Sequence, residues 1–127
     1  MNQFTEELKK LLKQDIVDLT ALNTEFIHKL ILQIRKEFVS FDWEVLQGDF
    51  KDGDLDRVKS YLRYDIEDFY AKNTQLFTHF LYRVDISNEQ IQQYTQEHIF
   101  EDVYECVAEL VIIRCAQKVY YKIKYSS

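Results

Sequence analysis

The near absence of helix-breaking residues is the feature that most constrains this chain. It contains no proline, and its only two glycines, Gly48 and Gly53, lie within six residues of each other. Because proline and glycine are the strongest interrupters of regular structure, helices are expected on both sides of one central loop. The flanking stretches are rich in Leu, Glu, Gln and Lys, which favour helix. The sequence therefore predicts an all-α fold, an up-down bundle of four to five helices with one central loop at about residues 40–53.

Size and charge narrow the class of protein. The 127 residues and the 46% apolar content suit a single domain spanning 1–127. The longest apolar run, Leu110–Ile113, is far shorter than the roughly 20 residues that span a membrane, and no basic and then apolar leader opens the chain. We therefore expect a cytoplasmic protein without a membrane partner. The net charge of −6 and the small basic cluster near the end also argue against a nucleic acid partner.

The first half of the chain carries a long helical pattern. Apolar residues recur every three or four positions from Phe4 to Phe38, and helix-start chemistry near Asp15 and Asn23 divides the pattern. We expect a short helix near 3–14 and a longer one that ends near Val39. The central loop is itself rich in apolar and aromatic residues, so it is expected to pack onto the helices.

The second half begins with another long pattern. Asp54 is predicted to cap a helix that continues to Val84, with an apolar seam in the 4,3 spacing of a helical bundle between Leu62 and Phe80. Asn73 falls on that seam. A lone polar residue in such a position usually sets the register of the packed helices, and this is the role predicted for Asn73.

A corner and a break are predicted beyond this helix. Asp85 and Ile86 form the corner, because Ser87 and Gln90 have the spacing of a capping box that restarts a helix at once. The two arms are expected to form an antiparallel hairpin. The later apolar stripe is out of phase with the first turns of the new helix. This shift predicts a break near Thr95, with Thr95 capping the final helix.

Charges separate along the last third of the chain. Seven acids and no Lys or Arg lie between positions 85 and 109, and four cations without an acid follow. Four of the acids, spaced by four, form an acidic ladder on the predicted helix, a pattern that costs stability unless cations relieve it. One interpretation is that the charges match the helix dipole and that cations of a neighbouring helix complete the pairs. The other is a partner surface, formed by Glu97, Glu101, Glu105, Glu109, Arg114, Lys118 and Lys122.

Residues that could carry chemistry do not assemble into a recognisable motif. Glu25 and His28 have the Glu-x-x-His spacing of di-iron bundles, but they fall off the apolar face and no second copy of the motif exists. We therefore predict no metal, no cofactor and no catalytic residue. Cys106 and Cys115 are nine residues apart, which places them on opposite sides of a shared helix. They are expected to be unbonded core residues.

A resemblance covers about a third of the chain. The segment from Leu81 to Ser87, reading LYRVDIS, is followed by the helical segment from Leu110 to Val119, reading LVIIRCAQKV. Together these two segments, within residues 81–119, resemble small uncharacterised helical proteins of bacteria. The resemblance implies a cytosolic helical protein and carries no implication about chemistry.

Three functional hypotheses follow from these patterns. The first is a self-associating binding or structural module without catalytic activity, in which two last helices pair antiparallel and set Glu101, Glu105 and Glu109 against Lys118 and Lys122 of the mate. The second is an acidic inhibitor or immunity-type protein that covers a basic partner. The third is a metal-carboxylate enzyme built on a helical bundle.

Overall fold

The computed structural model describes residues 24–48, 50 and 55–125. Within these residues the chain forms helices and no strand, so the predicted all-α bundle is confirmed. The helices are α1 (Thr24–Val39), α2 (Leu55–Lys72), α3 (Thr74–Arg83), α4 (Asn88–Glu97) and α5 (Val103–Tyr125). The helix predicted near 3–14 and the cap predicted at Asp54 lie outside the described residues.

Helix α1 ends where the sequence predicts. Its last turn closes at Val39, and the backbone nitrogens of Phe41 and Trp43 both donate to the carbonyl oxygen of Phe38, at 2.9 and 3.2 Å. Phe38 is fully buried, and its ring stacks on Phe80 with centroids 4.0 Å apart. The end of α1 is thus fixed by the aromatic core and not by a glycine.

The central loop, which the sequence places at about 40–53, contains no helix or strand in its described residues, and it packs onto the core as predicted. Trp43 stacks on Phe69 with centroids 4.7 Å apart, and Phe50 meets Tyr61 edge-on at 5.3 Å. As the loop advances its contacts move back along α2, so the segment lies antiparallel on that helix as a strap. The strap thus runs from the C-terminal part of α2 towards the N-terminal end of α2, where that helix begins.

Two side chains fasten this strap at Leu46. The Leu46 nitrogen donates to Asp65 Oδ2 at 2.8 Å, and Arg35 Nη2 donates to the Leu46 carbonyl oxygen at 2.6 Å. The Leu46 side chain is fully buried. Its backbone has a φ of 54°, which lies in the left-handed region that non-glycine residues adopt at some cost in free energy. Burial raises the pKa of Asp65, and the hydrogen bond from Leu46 partly opposes that shift.

The helix predicted from 55 to 84 is interrupted at Asn73, so one continuous helix is wrong. Asn73 is exposed and is the N-cap of α3, where its side-chain oxygen accepts from the nitrogen of Leu76 at 3.1 Å. The capping hydrogen bond of Asn73, and not the apolar spacing of the predicted seam, therefore determines the local structure. Asn73 is not a buried register residue, and the turn that it makes lets Phe77 pack edge-on against Phe69.

The corner after α3 forms at the predicted place, but the hairpin does not. Asp85 has a φ of 63°, and Ser87 and Gln90 make both hydrogen bonds of the predicted capping box. Helix α4 then packs against α5 and not along α3. The predicted antiparallel hairpin of these two arms is therefore wrong.

The break before the last helix lies several residues after the predicted position. Thr95 is inside α4, where its hydroxyl donates to the carbonyl oxygen of Ile91 at 2.7 Å. Residues 98–102 separate the helices, and Asp102 caps α5 by accepting from the nitrogen of Glu105 at 3.0 Å. Thr95 as the cap of the final helix is wrong, because Asp102 caps that helix and is also held by Arg63 of α2.

Helix α5 is the element on which the others assemble, since α1, α2 and α4 all pack against it. Its side-chain contacts run in the opposite order along each neighbour, so α5 is antiparallel to all three. Towards α1, Lys118 of α5 contacts Glu37 and Lys122 contacts Gln33. Towards α2, Asp102 contacts Arg63 and Glu109 contacts Lys59. Towards α4 and the corner before it, Cys106 contacts Thr95 and Arg114 contacts Asp85.

Candidate functional site

The four acids of the ladder do not share a helix. Glu97 ends α4 and Glu101 lies in the segment before α5, so only Glu105 and Glu109 belong to the last helix. The ladder as one helical face is therefore wrong, because the chain breaks in its middle. Glu97 accepts from Gln93 Nε2 at 3.1 Å, and a Glu105 oxygen accepts from the backbone nitrogen of Glu101 at 3.0 Å.

Glu109 is a structural carboxylate between three helices. Its side chain is only 8% exposed, and Lys59 of α2 lies 3.0 Å away. The hydroxyl of Tyr94 on α4 donates to the other Glu109 oxygen at 3.1 Å. Lys59 also reaches Glu105 at 3.8 Å. A buried charge is tolerated when it is paired and hydrogen-bonded, and Glu109 has both kinds of partner.

Asp102 and Arg63 form a second link between α2 and the start of α5. Arg63 Nε donates to Asp102 Oδ2 at 3.0 Å, and its Nη2 donates to the same oxygen. This contact lowers the pKa of Asp102 and raises that of Arg63. The contact between Arg63 and Asp102 fixes the segment before α5. Asp102 could therefore bind an outside partner only if it gave up its contact with Arg63 and its role as the cap of α5.

The cations in the second half of α5 are engaged with α1. Lys118 Nζ donates to Glu37 Oε2, and Lys122 Nζ donates to Gln33 Oε1 at 2.7 Å. Gln33 Nε2 donates to Glu37 at 3.1 Å, which joins the four side chains into one network. Gln33 and Glu37 are both buried. Lys118, Glu105 and Glu109 of α5 are thus paired with opposite charges on neighbouring helices, as the first interpretation of the charge pattern predicts, whereas Lys122 meets a neutral amide.

Arg114 lines a cleft between α4 and α5. Its Nη2 donates to Asp85 at 3.0 Å and its Nη1 to Gln117 at 3.3 Å, while its buried Nε has no hydrogen-bond partner in the described residues. The cleft has a volume of about 380 Å³ and also includes Glu97 in its lining. Carboxylates and a guanidinium share its walls, so the cleft has no preference for ligands of one charge.

Cysteine and metal chemistry find no assembled site in the described residues. Cys106 and Cys115 are buried and unbonded, as predicted. Burial raises the pKa of the Cys106 thiol, and it raises that of Cys115 to about 12. Glu25 and His28 are exposed. Among residues 24–48, 50 and 55–125, no three His, Cys, Asp or Glu side chains are grouped as metal ligands would be.

A groove between α1 and the end of α5 is the surface feature that sequence reasoning missed. It has a volume of about 360 Å³, and Val119, 4% exposed, forms part of its lining. Leu32 on α1 and Ile123 on α5 remain 50% and 48% exposed. The described residues that line this surface, which we call the α1–α5 groove, are Lys29, Leu32, Gln33, Lys36, Val119, Lys122 and Ile123.

Among the described residues that line the α1–α5 groove, three are lysines and none carries a carboxylate. Lys29 pairs with Glu25 on the exposed face of α1, at 3.5 Å. Lys122 contacts a neutral amide, and the exposed side chain of Lys36 makes no hydrogen bond or ion pair within the described part of the chain. In a protein with a net charge of −6, this groove is a local basic surface.

Of the seven partner-surface residues predicted from sequence, only Lys122 lines the α1–α5 groove. Glu97 and Arg114 line the α4–α5 cleft instead. Glu101, Glu105, Glu109 and Lys118 serve contacts within the chain. The one signal for the groove in the sequence is the i, i+3, i+7 spacing of Lys29, Leu32 and Lys36, which places them on one face of α1.

Comparison with known proteins adds no family to this description. No protein-family model, curated protein or solved structure matches the chain. None of the described helices has the length and apolar character that crossing a bilayer would require.

Proposed function

We propose that this protein is a helical binding module that acts by docking another protein chain at the α1–α5 groove. The observation that carries this proposal is the half-exposed pair Leu32 and Ile123 beside a buried valine in a concave surface. Single exposed apolar side chains are ordinary, whereas a contiguous apolar patch with a polar rim is typical of an interaction site. The residue pattern is that of a groove between helices that receives a partner.

Binding is favoured over catalysis by the roles of the groups whose pKa values are shifted. Catalytic groups need an accessible position as well as a tuned pKa. Asp65 holds the strap at Leu46, and Asp102 caps α5. Cys115 is fully buried. Each of these shifts has a structural cause, and none of these groups lines the groove.

Self-association through the last helix is a second candidate. The end of α5 exposes apolar and aromatic side chains, with Tyr121 41%, Ile123 48% and Tyr125 69% exposed. Such residues are enriched where two proteins meet. Of the charges first expected to pair between two copies, Glu105, Glu109 and Lys118 have charged partners within the chain instead, so a homodimer would depend on these apolar contacts. Sedimentation velocity over a concentration series, with Tyr125→Glu as the disrupting variant, tests this candidate.

The hypothesis of an acidic inhibitor receives less support. Its surface required four acids on one face, but Glu109 is buried and Glu105 approaches Lys59. Glu97 and Glu101 are the members of the ladder that stay exposed. Two acids on separate segments do not make a surface for a basic enzyme.

Tagged protein used as bait in native lysate tests docking at the groove. The variant Leu32→Glu/Ile123→Glu places two charges on the apolar walls, and the control Ile99→Glu places one charge at a fully exposed position outside the groove. We expect a stoichiometric partner to be retained by the wild type and by Ile99→Glu and to be lost from the groove variant. Equal capture by all three would contradict the proposal. Circular dichroism checks that each variant keeps its helical content.

A further inference from the structure

We infer that the α1–α5 groove binds an acidic amphipathic helix of a partner protein. This inference rests on the proposed function and adds the chemistry of the partner. Lysines lie on both walls, at Lys29 and Lys36 on α1 and at Lys122 on α5, around the apolar side chains Leu32 and Ile123. A helix with an apolar stripe and carboxylates on both sides of it is the complement of that arrangement.

The dimensions of the groove suit a short helix. The α1 wall runs from Lys29 to Lys36, which at 1.5 Å per residue is about 10 Å, or two turns. The α5 wall runs antiparallel to it over one turn, from Val119 to Ile123. Two packed helices leave a concave seam into which the apolar ridge of a third helix fits.

Charge selects an acidic occupant. Lys36 has no partner in the described residues, and Lys122 donates to the neutral Gln33 at 2.7 Å. The carboxylate nearest to this network, Glu37, is already bound by Lys118. Among the described residues only Lys29 of these three lysines has a carboxylate partner, Glu25, so the charges of Lys36 and Lys122 on the rim are uncompensated there. Charge complementarity speeds encounter and rejects like-charged partners.

The same charges argue against a second copy as the occupant. A twofold pairing of this groove with itself would place the lysines of one chain against those of the other. Like-charge contact of this kind is unfavourable and works against wrong partners. A homodimer would therefore have to form through the end of α5, around Tyr121 and Tyr125, and not through the α1–α5 groove.

The probe for this inference is a fluorescein-labelled synthetic peptide of about 14 residues, or roughly four turns. It carries leucines on one helical stripe and glutamates on both flanks. A second peptide keeps the leucines and has lysines in place of the glutamates. Fluorescence anisotropy gives the Kd of each for the full-length chain. We expect the acidic peptide to bind at least about tenfold more tightly than the basic one, and to weaken as salt rises and screens the lysines.

The deciding variant is Lys36→Glu, because the Lys36 side chain is exposed and makes no hydrogen bond or ion pair with the described residues. Lys72→Glu changes the net charge equally on an exposed turn of α2, away from the groove. We expect about a tenfold loss of affinity for the acidic peptide with Lys36→Glu and less than about a twofold change with Lys72→Glu. Equal affinity for both peptides, or equal effects of the two variants, would overturn the inference.

Two further outcomes separate this inference from neighbouring explanations. If lysate capture is lost with Leu32→Glu/Ile123→Glu but unaffected by Lys36→Glu, the groove binds a partner and the acidic helix is wrong. Vesicles containing about 30% phosphatidylserine supply anionic charge without a helix. Binding of these vesicles that depends on Lys36, without binding of the peptide, would assign the groove to a lipid surface and overturn the inference.

Discussion

The substitution Glu109→Gln tests whether α5 is fixed by its buried carboxylate. The change keeps the shape of the side chain and an oxygen that can accept from Tyr94, but it removes the charge that faces Lys59 at 3.0 Å. Removing one partner of a buried ion pair costs about 3–5 kcal/mol, whereas exposed pairs contribute about 0–1 kcal/mol. Lys59 is 17% exposed and has Glu105 3.8 Å away as a second partner. We therefore expect a loss of about 2–3 kcal/mol in the free energy of unfolding.

Urea denaturation followed by circular dichroism measures this loss, and Glu67→Gln is the matched control. Glu67 pairs with Arg63 at 3.2 Å but is 45% exposed, so its loss should cost less than about 1 kcal/mol. Lys59→Met and the double variant complete a mutant cycle that isolates the pair. If Glu109→Gln destabilises the protein no more than Glu67→Gln does, the structural role assigned to Glu109 is refuted.

Three further outcomes are expected. Asn73→Ala should cost about 1 kcal/mol in a urea titration, because α3 loses its cap; an unchanged midpoint would contradict the cap. The pKa of Asp102 is lowered in the folded state, so its pair with Arg63 stabilises the fold at pH values above the unfolded pKa near 3.8, and this stabilisation is lost as the pH falls through the folded pKa. The variant Asp102→Asn should therefore show a smaller decrease in the free energy of unfolding over that acidic range than the wild type does. Cys115, with its pKa raised to about 12, should resist thiol reagents at neutral pH until urea unfolds the chain.

Local signals in the sequence predict much of this fold. The clustering of the two glycines places the loop, and Ser87 with Gln90 places the start of α4, because a capping box is made by residues that are close in the chain. The end of α1 near Val39 is also predicted. The loop and the start of α4 depend on chemistry within a few residues, whereas the end of α1 is also fixed by the distant contact of Phe38 with Phe80.

The failures arise where two local signals compete. At Asn73 an N-cap competes with an apolar spacing that continues through it, and the cap prevails. Thr95 and Asp102 both resemble helix starts, and Asp102 is used because it also reaches Arg63 on α2. That contact joins residues 39 positions apart. The spacing of residues along one helix does not predict this contact between Arg63 and Asp102.

The candidate site is the part least accessible to sequence reasoning. The pattern of acids and cations on α5 was visible, but the partners that pair them, Lys59 and Glu37, lie 50 and 81 positions away. The α1–α5 groove exists because two antiparallel helices bring Leu32 and Ile123 into the lining of one surface. Only the packing of the helices shows which cations are paired and which remain at the surface.

The most direct test of the α1–α5 groove as a binding surface is a titration of isotope-labelled full-length protein with the acidic peptide, followed by nitrogen–proton correlation spectra. The predicted result is a set of saturable shifts confined to amides near positions 29–36 and 119–123. Shifts centred on the α4–α5 cleft around Arg114, or no shifts at peptide concentrations well above that of the protein, would contradict the account.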